Sequence, residues 1–173
     1  MTTDNKLIEL EIKNLFVKKK LTLALAESCT GGLVGHRITN VPGSSKYFQM
    51  SLVSYSDEVK NKVLGVPIDI IREFGAVSSQ VATAMAKRAK KMALVNVGLG
   101  ITGVAGPDGG TKEKPVGLVY IAVVTDDKII CKKYQFDGQR QEIKDQTAQR
   151  ALEILKECLT ETTNDKSQIT NNI

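Results

Sequence analysis

A carboxylate, two hydroxyls and a thiol stand in four consecutive residues, Glu27-Ser28-Cys29-Thr30, directly before the pair Gly31-Gly32. Serine and cysteine form acyl intermediates when a neighbouring base takes their proton. The apolar run over residues 21–26 predicts a strand, and Leu33-Val34-Gly35-His36-Arg37-Ile38 carries apolar residues near helical spacing. Strand, tight turn and helix would set Ser28 at a helix mouth, where unpaired N–H groups and the positive dipole end favour negative charge. Three readings of Ser28 follow: a helix N-cap, part of a passive anion site, or a nucleophile. Thr30 offers a second hydroxyl there, and Gly31 and Gly32 keep side chains clear of a ligand.

A nucleophile needs a base. The single histidine, His36, stands eight residues after Ser28, about 12 Å along a helix that rises 1.5 Å per residue. That distance argues against a Ser-His-Asp triad and for a structural His36. A lysine base remains. Tyr55 ends a second predicted strand, and Lys60 falls in the first turns of a helix beginning near Ser56. The positive potential at a helix start lowers a lysine pKa, and burial would lower it further, towards the neutral amine a general base requires. The competing reading of Lys60 is an ordinary solvated charge, in a chain with 24 Lys and Arg residues.

A second region with chemical potential is the glycine-rich loop over residues 102–111, from Thr102 through Gly103 and Gly106 to Thr111. It leaves the C-terminal end of a predicted strand, where open α/β sheets hold their ligands. Its glycines would let backbone N–H groups approach an anion or an oxyanion, and a loop this long inside a compact domain leans towards function. Just before it, Gly98-Leu99-Gly100-Ile101-Thr102-Gly103 matches a dinucleotide fingerprint literally. The first two glycines fall inside the predicted strand, however, and Pro107-Asp108-Gly109-Gly110 occupies the place of the required helix, so the fingerprint reading is rejected.

The elements that must position these residues read as follows. At 173 residues, 42% hydrophobic and 25% charged, the chain suits one domain with its own core. A helix over residues 5–19 precedes the first strand, and Pro67 and Ser78 or Ser79 open two further helices. Strands over residues 95–101, 116–125 and 128–136 follow, the last two joined at Asp126-Asp127, and a helix over 139–159 closes the domain. The fold class is α/β: a three-layer α/β/α sandwich with a mixed, mostly parallel sheet of about five strands. Residues 1–160 form the domain and residues 161–173 a disordered polar tail.

Composition bounds the partners. The net charge of +5 resides in runs such as Lys18-Lys19-Lys20 and Lys87, Arg88, Lys90 and Lys91, which read as helix ends and solvated helix faces. They lack interleaved aromatics, so no nucleic-acid partner is expected. Cys29, Cys131 and Cys158 are widely spaced, which suits neither zinc nor disulfides and fits a reducing cytoplasm. With one histidine and no carboxylate–histidine cluster near the motifs, no metal site is expected. No apolar leader opens the sequence and no stretch nears the roughly 20 residues of a membrane span.

The ordered motifs Ala26-Glu27-Ser28-Cys29-Thr30-Gly31-Gly32, Val41-Pro42-Gly43-Ser44-Ser45, Tyr55-Ser56-Asp57-Glu58-Val59-Lys60, Gly75-Ala76-Val77-Ser78, Thr102 to Gly110, and Glu113-Lys114-Pro115-Val116-Gly117 resemble the C-terminal domain of competence-damage-inducible CinA proteins. That family includes stand-alone nicotinamide-mononucleotide deamidases, and the resemblance covers roughly residues 6–160. It leaves no residues for the family's second, nucleotide-pyrophosphatase-type domain. The resemblance implies the same three-layer fold and a metal-independent, cofactor-free amidohydrolase that converts nicotinamide mononucleotide to nicotinic acid mononucleotide and ammonia. Carried over, Ser28 matches the nucleophile, and Tyr55 and Lys60 its hydrogen-bonded activating pair. Thr102, Gly103 and Gly106 match the loop lining the site. Arg140 matches the arginine that follows a Gly-Asp pair, with Gln139 here in place of the Asp. Together with Thr30, Gly31 and Gly32 these form the expected substrate-binding set, with Arg140 as the phosphate anchor. The rival reading is a non-catalytic nucleotide-binding module using the same helix N-terminus. Whether copies of the chain form a homo-oligomer is left open.

Overall fold

Leu23, Leu25 and Glu27 alternate with Ala24 and Ala26 along the strand β1 (Leu23–Glu27), and all five are buried. A strand buried on both faces belongs inside a sheet with helices on either side. The computed structural model describes residues 5–161, with side chains from residue 8 to 160, and shows that sheet. On β1 pair β2 (Phe48–Val53) and β3 (Val97–Gly103), both parallel to it. Two antiparallel strands, β4 (Leu118–Val124) and β5 (Ile129–Gln135), extend the sheet from β3, giving the order β2-β1-β3-β4-β5. This is the expected five-stranded mixed sheet, with parallel pairing confined to β1, β2 and β3.

Helices cover both faces. On one, α1 (Asn5–Lys19), α2 (Leu33–Thr39) and α6 (Arg140–Glu161) place Ile12, Phe16, Ile38 and Leu155 against Leu23, Leu25, Leu99 and Ile121. Arg37 of α2 ties this layer together, donating to Glu9 of α1 at 2.7 Å and to Gln149 of α6 at 2.9 Å. On the other, α4 (Ile68–Phe74) and α5 (Ser79–Met92) lie over Ala24 and Ala26, and Leu64, just after α3 (Asp57–Lys62), is buried with Ile71 and Met85 in the same cluster. Local signals open the helices as expected. Ser56 accepts from the Val59 N–H at 3.2 Å, Ser78 accepts from the Val81 N–H at 3.3 Å, and Pro67 directly precedes α4. The strands β1 and β3 start two residues later than the apolar runs suggest. Thr22 and Asn96 bond each other first: the Thr22 N–H donates to Asn96 Oδ1 at 2.9 Å and the Asn96 N–H to Thr22 Oγ1 at 3.3 Å. The expected polar tail lies outside the described side chains.

Gly98 and Gly100 explain their own spacing. On β3 they face α5, while Val97, Leu99 and Ile101 face the α1–α6 layer. A Cβ on Gly98 would lie 2.1 Å from the Ala86 carbonyl oxygen, and one on Gly100 2.2 Å from that of Ala82. The glycines let the backbone of α5, with its small residues Ala82 and Ala86, lie directly on the sheet. The literal fingerprint is thus a helix-packing device, as its position inside a strand requires. Gly100→Ala should destabilise the domain by about 3 kcal/mol, read as a lower urea midpoint, because backbone cannot yield as a side-chain tip can.

Candidate active site

The C-terminal ends of β1, β2 and β3 share one edge of the domain, and the turn after β1 is built on Glu27. Its side chain is fully buried. Oε2 accepts from Thr30 Oγ1 at 2.7 Å, the Gly32 N–H at 3.0 Å and the Val34 N–H at 3.2 Å. Oε1 accepts from the Gly35 N–H at 2.9 Å and from Ser51 Oγ of β2 at 3.0 Å. Five donors thus meet an acceptor-only group. The amides at the start of α2, which one reading of the turn left open to an external anion, already hold the carboxylate of Glu27. The sequence singles out Glu27 only as part of a motif. The readable signal is an acidic residue ending an apolar strand just before a glycine-led helix.

Several expected binding residues turn out to build the wall. Thr30 is fully buried with its hydroxyl on Glu27, and the Gly32 N–H goes to the same group. At the end of β3, the Thr102 hydroxyl donates to the Ala76 carbonyl at 2.8 Å, tying the strand to the α4–α5 connection. Gly103 has no room for a side chain, since its Cβ would stand 2.7 Å from the Leu118 carbonyl oxygen. Gly31 stays exposed at the corner of the turn, at φ 64°, where its N–H donates to the Ser28 carbonyl at 3.0 Å.

The segment after β2 brings Tyr55 and Lys60 to this edge. The Ser54 N–H donates to the Glu27 carbonyl at 2.8 Å, so the segment leaves β2 directly beside Ser28. The Ser54 hydroxyl is itself fully buried and has no hydrogen-bond partner among the described residues. Lys60 is 2% exposed, which removes the competing reading of a solvated charge. Its amine donates to the Tyr55 carbonyl at 3.2 Å and lies 3.6 Å from Asp57, which is itself exposed. Burial holds the Lys60 pKa below the ordinary lysine value, with the Asp57 carboxylate opposing the shift. The link between Lys60 and Tyr55 therefore runs through the tyrosine backbone. The Tyr55 hydroxyl instead accepts from Arg140 Nη2 at 2.7 Å, and Arg140 Nη1 donates to the Gly106 carbonyl at 2.5 Å. Arg140 thus spans Tyr55 and the glycine-rich loop.

Ser28 and Cys29 have different surroundings. Cys29 is 5% exposed and packs in the core beneath α1 and α6. Burial pushes its thiol up to about 12, an effect that the nearby Glu27 reinforces and the charge of Lys60 opposes. Such a thiol is a poor source of thiolate. Ser28 is 6% exposed, and its hydroxyl has no side-chain hydrogen bond to another described residue. His36 is exposed on α2, its ring 3.1 Å from the Asn40 amide nitrogen. Among the described residues no group of three His, Cys, Asp or Glu is placed to hold a metal ion. No described helix is long and apolar enough to cross a membrane.

An α/β/α sandwich with a serine turn, a buried lysine and an arginine-braced glycine loop at one sheet edge defines a narrow class of protein. A family model described as the CinA C-terminal domain matches residues 5–159, and the chain belongs to that family. It is 50% identical over 152 residues to a CinA-like protein of Geobacter sulfurreducens, and 46% identical over 153 residues to a putative competence-damage inducible protein of Caldicellulosiruptor bescii. Each alignment covers 88% of this chain, which spans only 37% of the length of either relative. Among solved structures, the competence/damage inducible protein CihA from Agrobacterium tumefaciens superposes with a TM-score of 0.88 at 36% identity, over 92% of this chain and 98% of that one.

Glu27→Gln should test the frame of the site without altering its size. The amide would turn an NH2 group towards donors, and leaving buried donors unmatched costs about 2 kcal/mol. Urea unfolding should show that loss, whereas an unchanged midpoint would mean that the five bonds contribute nothing net.

Proposed function

We propose that this domain is an amidohydrolase that converts nicotinamide mononucleotide to nicotinic acid mononucleotide and ammonia through a Ser28 acyl-enzyme. The observation that carries the reading is the buried Lys60 beside the Ser28 turn, its amine driven towards the neutral state by loss of water. Strand alternation supports the pairing. Ala24 and Ala26 face the cluster that holds Leu64, just after α3, and Ser28 continues that parity, whereas Cys29 packs on the opposite side.

In this mechanism Lys60 takes the Ser28 proton as Oγ attacks the carboxamide carbon. Backbone N–H groups of the turn or of the glycine-rich loop stabilise the oxyanion. The C–N bond breaks as the proton passes to the departing ammonia, and water then hydrolyses the ester and restores Ser28. Tyr55, held by Arg140, borders the amine and keeps its surroundings ordered. The rival, a silent nucleotide-binding module seated on the α2 amides, is disfavoured because Glu27 holds three of them. The three cysteines are free thiols, which suits work in the reducing cytoplasm.

Ammonia release from nicotinamide mononucleotide by purified protein is the direct test. Ser28→Ala should lower kcat by at least about 1,000-fold while substrate still binds. Cys29→Ala should retain activity, and alkylating reagents should inhibit slowly. An active Ser28→Ala with a dead Cys29→Ala would make this a cysteine amidase.

Lys60 makes a separate prediction for pH. The neutral amine is the active form, so kcat/KM should rise with pH through the Lys60 pKa. Because burial lowers that pKa, the plateau should arrive well below the roughly 10.4 of a free lysine. Lys60→Met should remove most turnover and leave thermal stability near wild type, since it replaces a poorly solvated amine with an apolar side chain of similar length. A rate profile centred on an ordinary lysine value, or near-normal turnover in Lys60→Met, would remove Lys60 from the mechanism.

A further inference from the structure

The proposed substrate carries a phosphate, and the groups expected to receive it are engaged elsewhere. The α2 amides hold Glu27. Arg140 is held by the Tyr55 hydroxyl and the Gly106 carbonyl, and Arg37 by Glu9 and Gln149. Lys60 is buried against the Tyr55 carbonyl, and Lys114 donates to the Phe74 carbonyl. One turn along α6 from Arg140, on the same helix face, stands Lys144. Its ammonium lies 3.8 Å from the point that a Cβ on Gly31 would occupy. Lys144 is half-buried, and it forms no ion pair or hydrogen bond with another described residue. Three N–H donors are therefore free beside an exposed glycine at the corner of the Ser28 turn.

We propose that Lys144 is the anion-binding, specificity-determining residue of this site, holding the phosphate monoester of a ribonucleotide substrate against Gly31. The assignment rests on the amidase reading for the identity of the rest of the substrate. The physical need is direct. A phosphate approaching this turn comes towards the buried Glu27 carboxylate, and a cation on the outer side of Gly31 offsets that repulsion with charge-assisted hydrogen bonds. Arg140 then acts as a positioning residue for Tyr55 and the loop, while Lys144 selects substrates that carry an anion.

The test uses Lys144→Met and Lys144→Arg with two readouts. In turnover, Lys144→Met should raise KM for nicotinamide mononucleotide by about 10- to 100-fold with kcat little changed. Its kcat/KM for nicotinamide riboside, which lacks the phosphate, should equal wild type and so also report an intact fold. Lys144→Arg should restore the nucleotide preference. In binding, followed by calorimetry without turnover, ribose 5-phosphate should bind wild type and lose affinity by a similar factor in Lys144→Met. Equal losses for both substrates, ribose 5-phosphate binding that ignores the substitution, or no binding to wild type would overturn the assignment. Inorganic phosphate that binds as tightly as ribose 5-phosphate, with the same dependence on Lys144, would assign the site to free phosphate and overturn the ester. If wild type releases no ammonia yet ribose 5-phosphate binds through Lys144, the amidase reading fails and the anion site stands. Ammonia release with phosphate binding that ignores Lys144 gives the reverse.

Discussion

The buried carboxylate of Glu27 and its five donors hold the functional edge of this domain together. Moving a carboxylate out of water costs several kcal/mol even after relaxation, and here the cost is offset by donors from the turn, the first residues of α2 and the middle of β2. The gain is shared. A seven-residue helix is too short to persist on its own in water, and its first amides need partners wherever they are buried. One side chain supplies those partners and links β1 to β2 through Ser51. The turn bearing Ser28 is rigid for that reason.

A second constraint acts from the middle of the sheet. With glycine at positions 98 and 100, α5 approaches β3 more closely than any side chain would allow. That approach sets the height of α5 above the sheet. Thr102, at the end of the same strand, bonds the Ala76 carbonyl and draws the α4–α5 connection against the glycine-rich loop.

The polar residues at this edge divide by whether their donors are already engaged. Thr30, Gly32 and Thr102 bond within the protein and form walls. Arg140 braces Tyr55 and Gly106. Ser28 and Lys144 make no side-chain hydrogen bond to another described residue, and Lys60 donates only to the Tyr55 carbonyl, with Asp57 3.6 Å away. In the proposed reaction a carboxamide would lie between Ser28 and Lys60, with an anionic group extending towards Lys144. This division also separates two neighbours of similar chemistry, because Cys29 lies in the apolar core that raises its thiol to about 12.

What the sequence determined by itself was mostly local: the helix caps at Ser56 and Ser78, the proline ahead of α4, the hairpin at Asp126-Asp127, and from their succession the three-layer class. Caps, turns and hydrophobic periodicity act between residues a few positions apart, so a linear reading reaches them. The family and the site motifs were legible for a related reason, since they are short runs of defined residue type. Only the tertiary structure decided which polar groups are occupied. Lys60 is one of 24 cations in the chain, and only its burial in the folded domain distinguishes it. Arg140 finds Tyr55 across 85 positions, and Ser51 finds Glu27 across 24. Burial and the partnering of distant groups arise when the layers close, and they alone separate a wall residue from one left free to act.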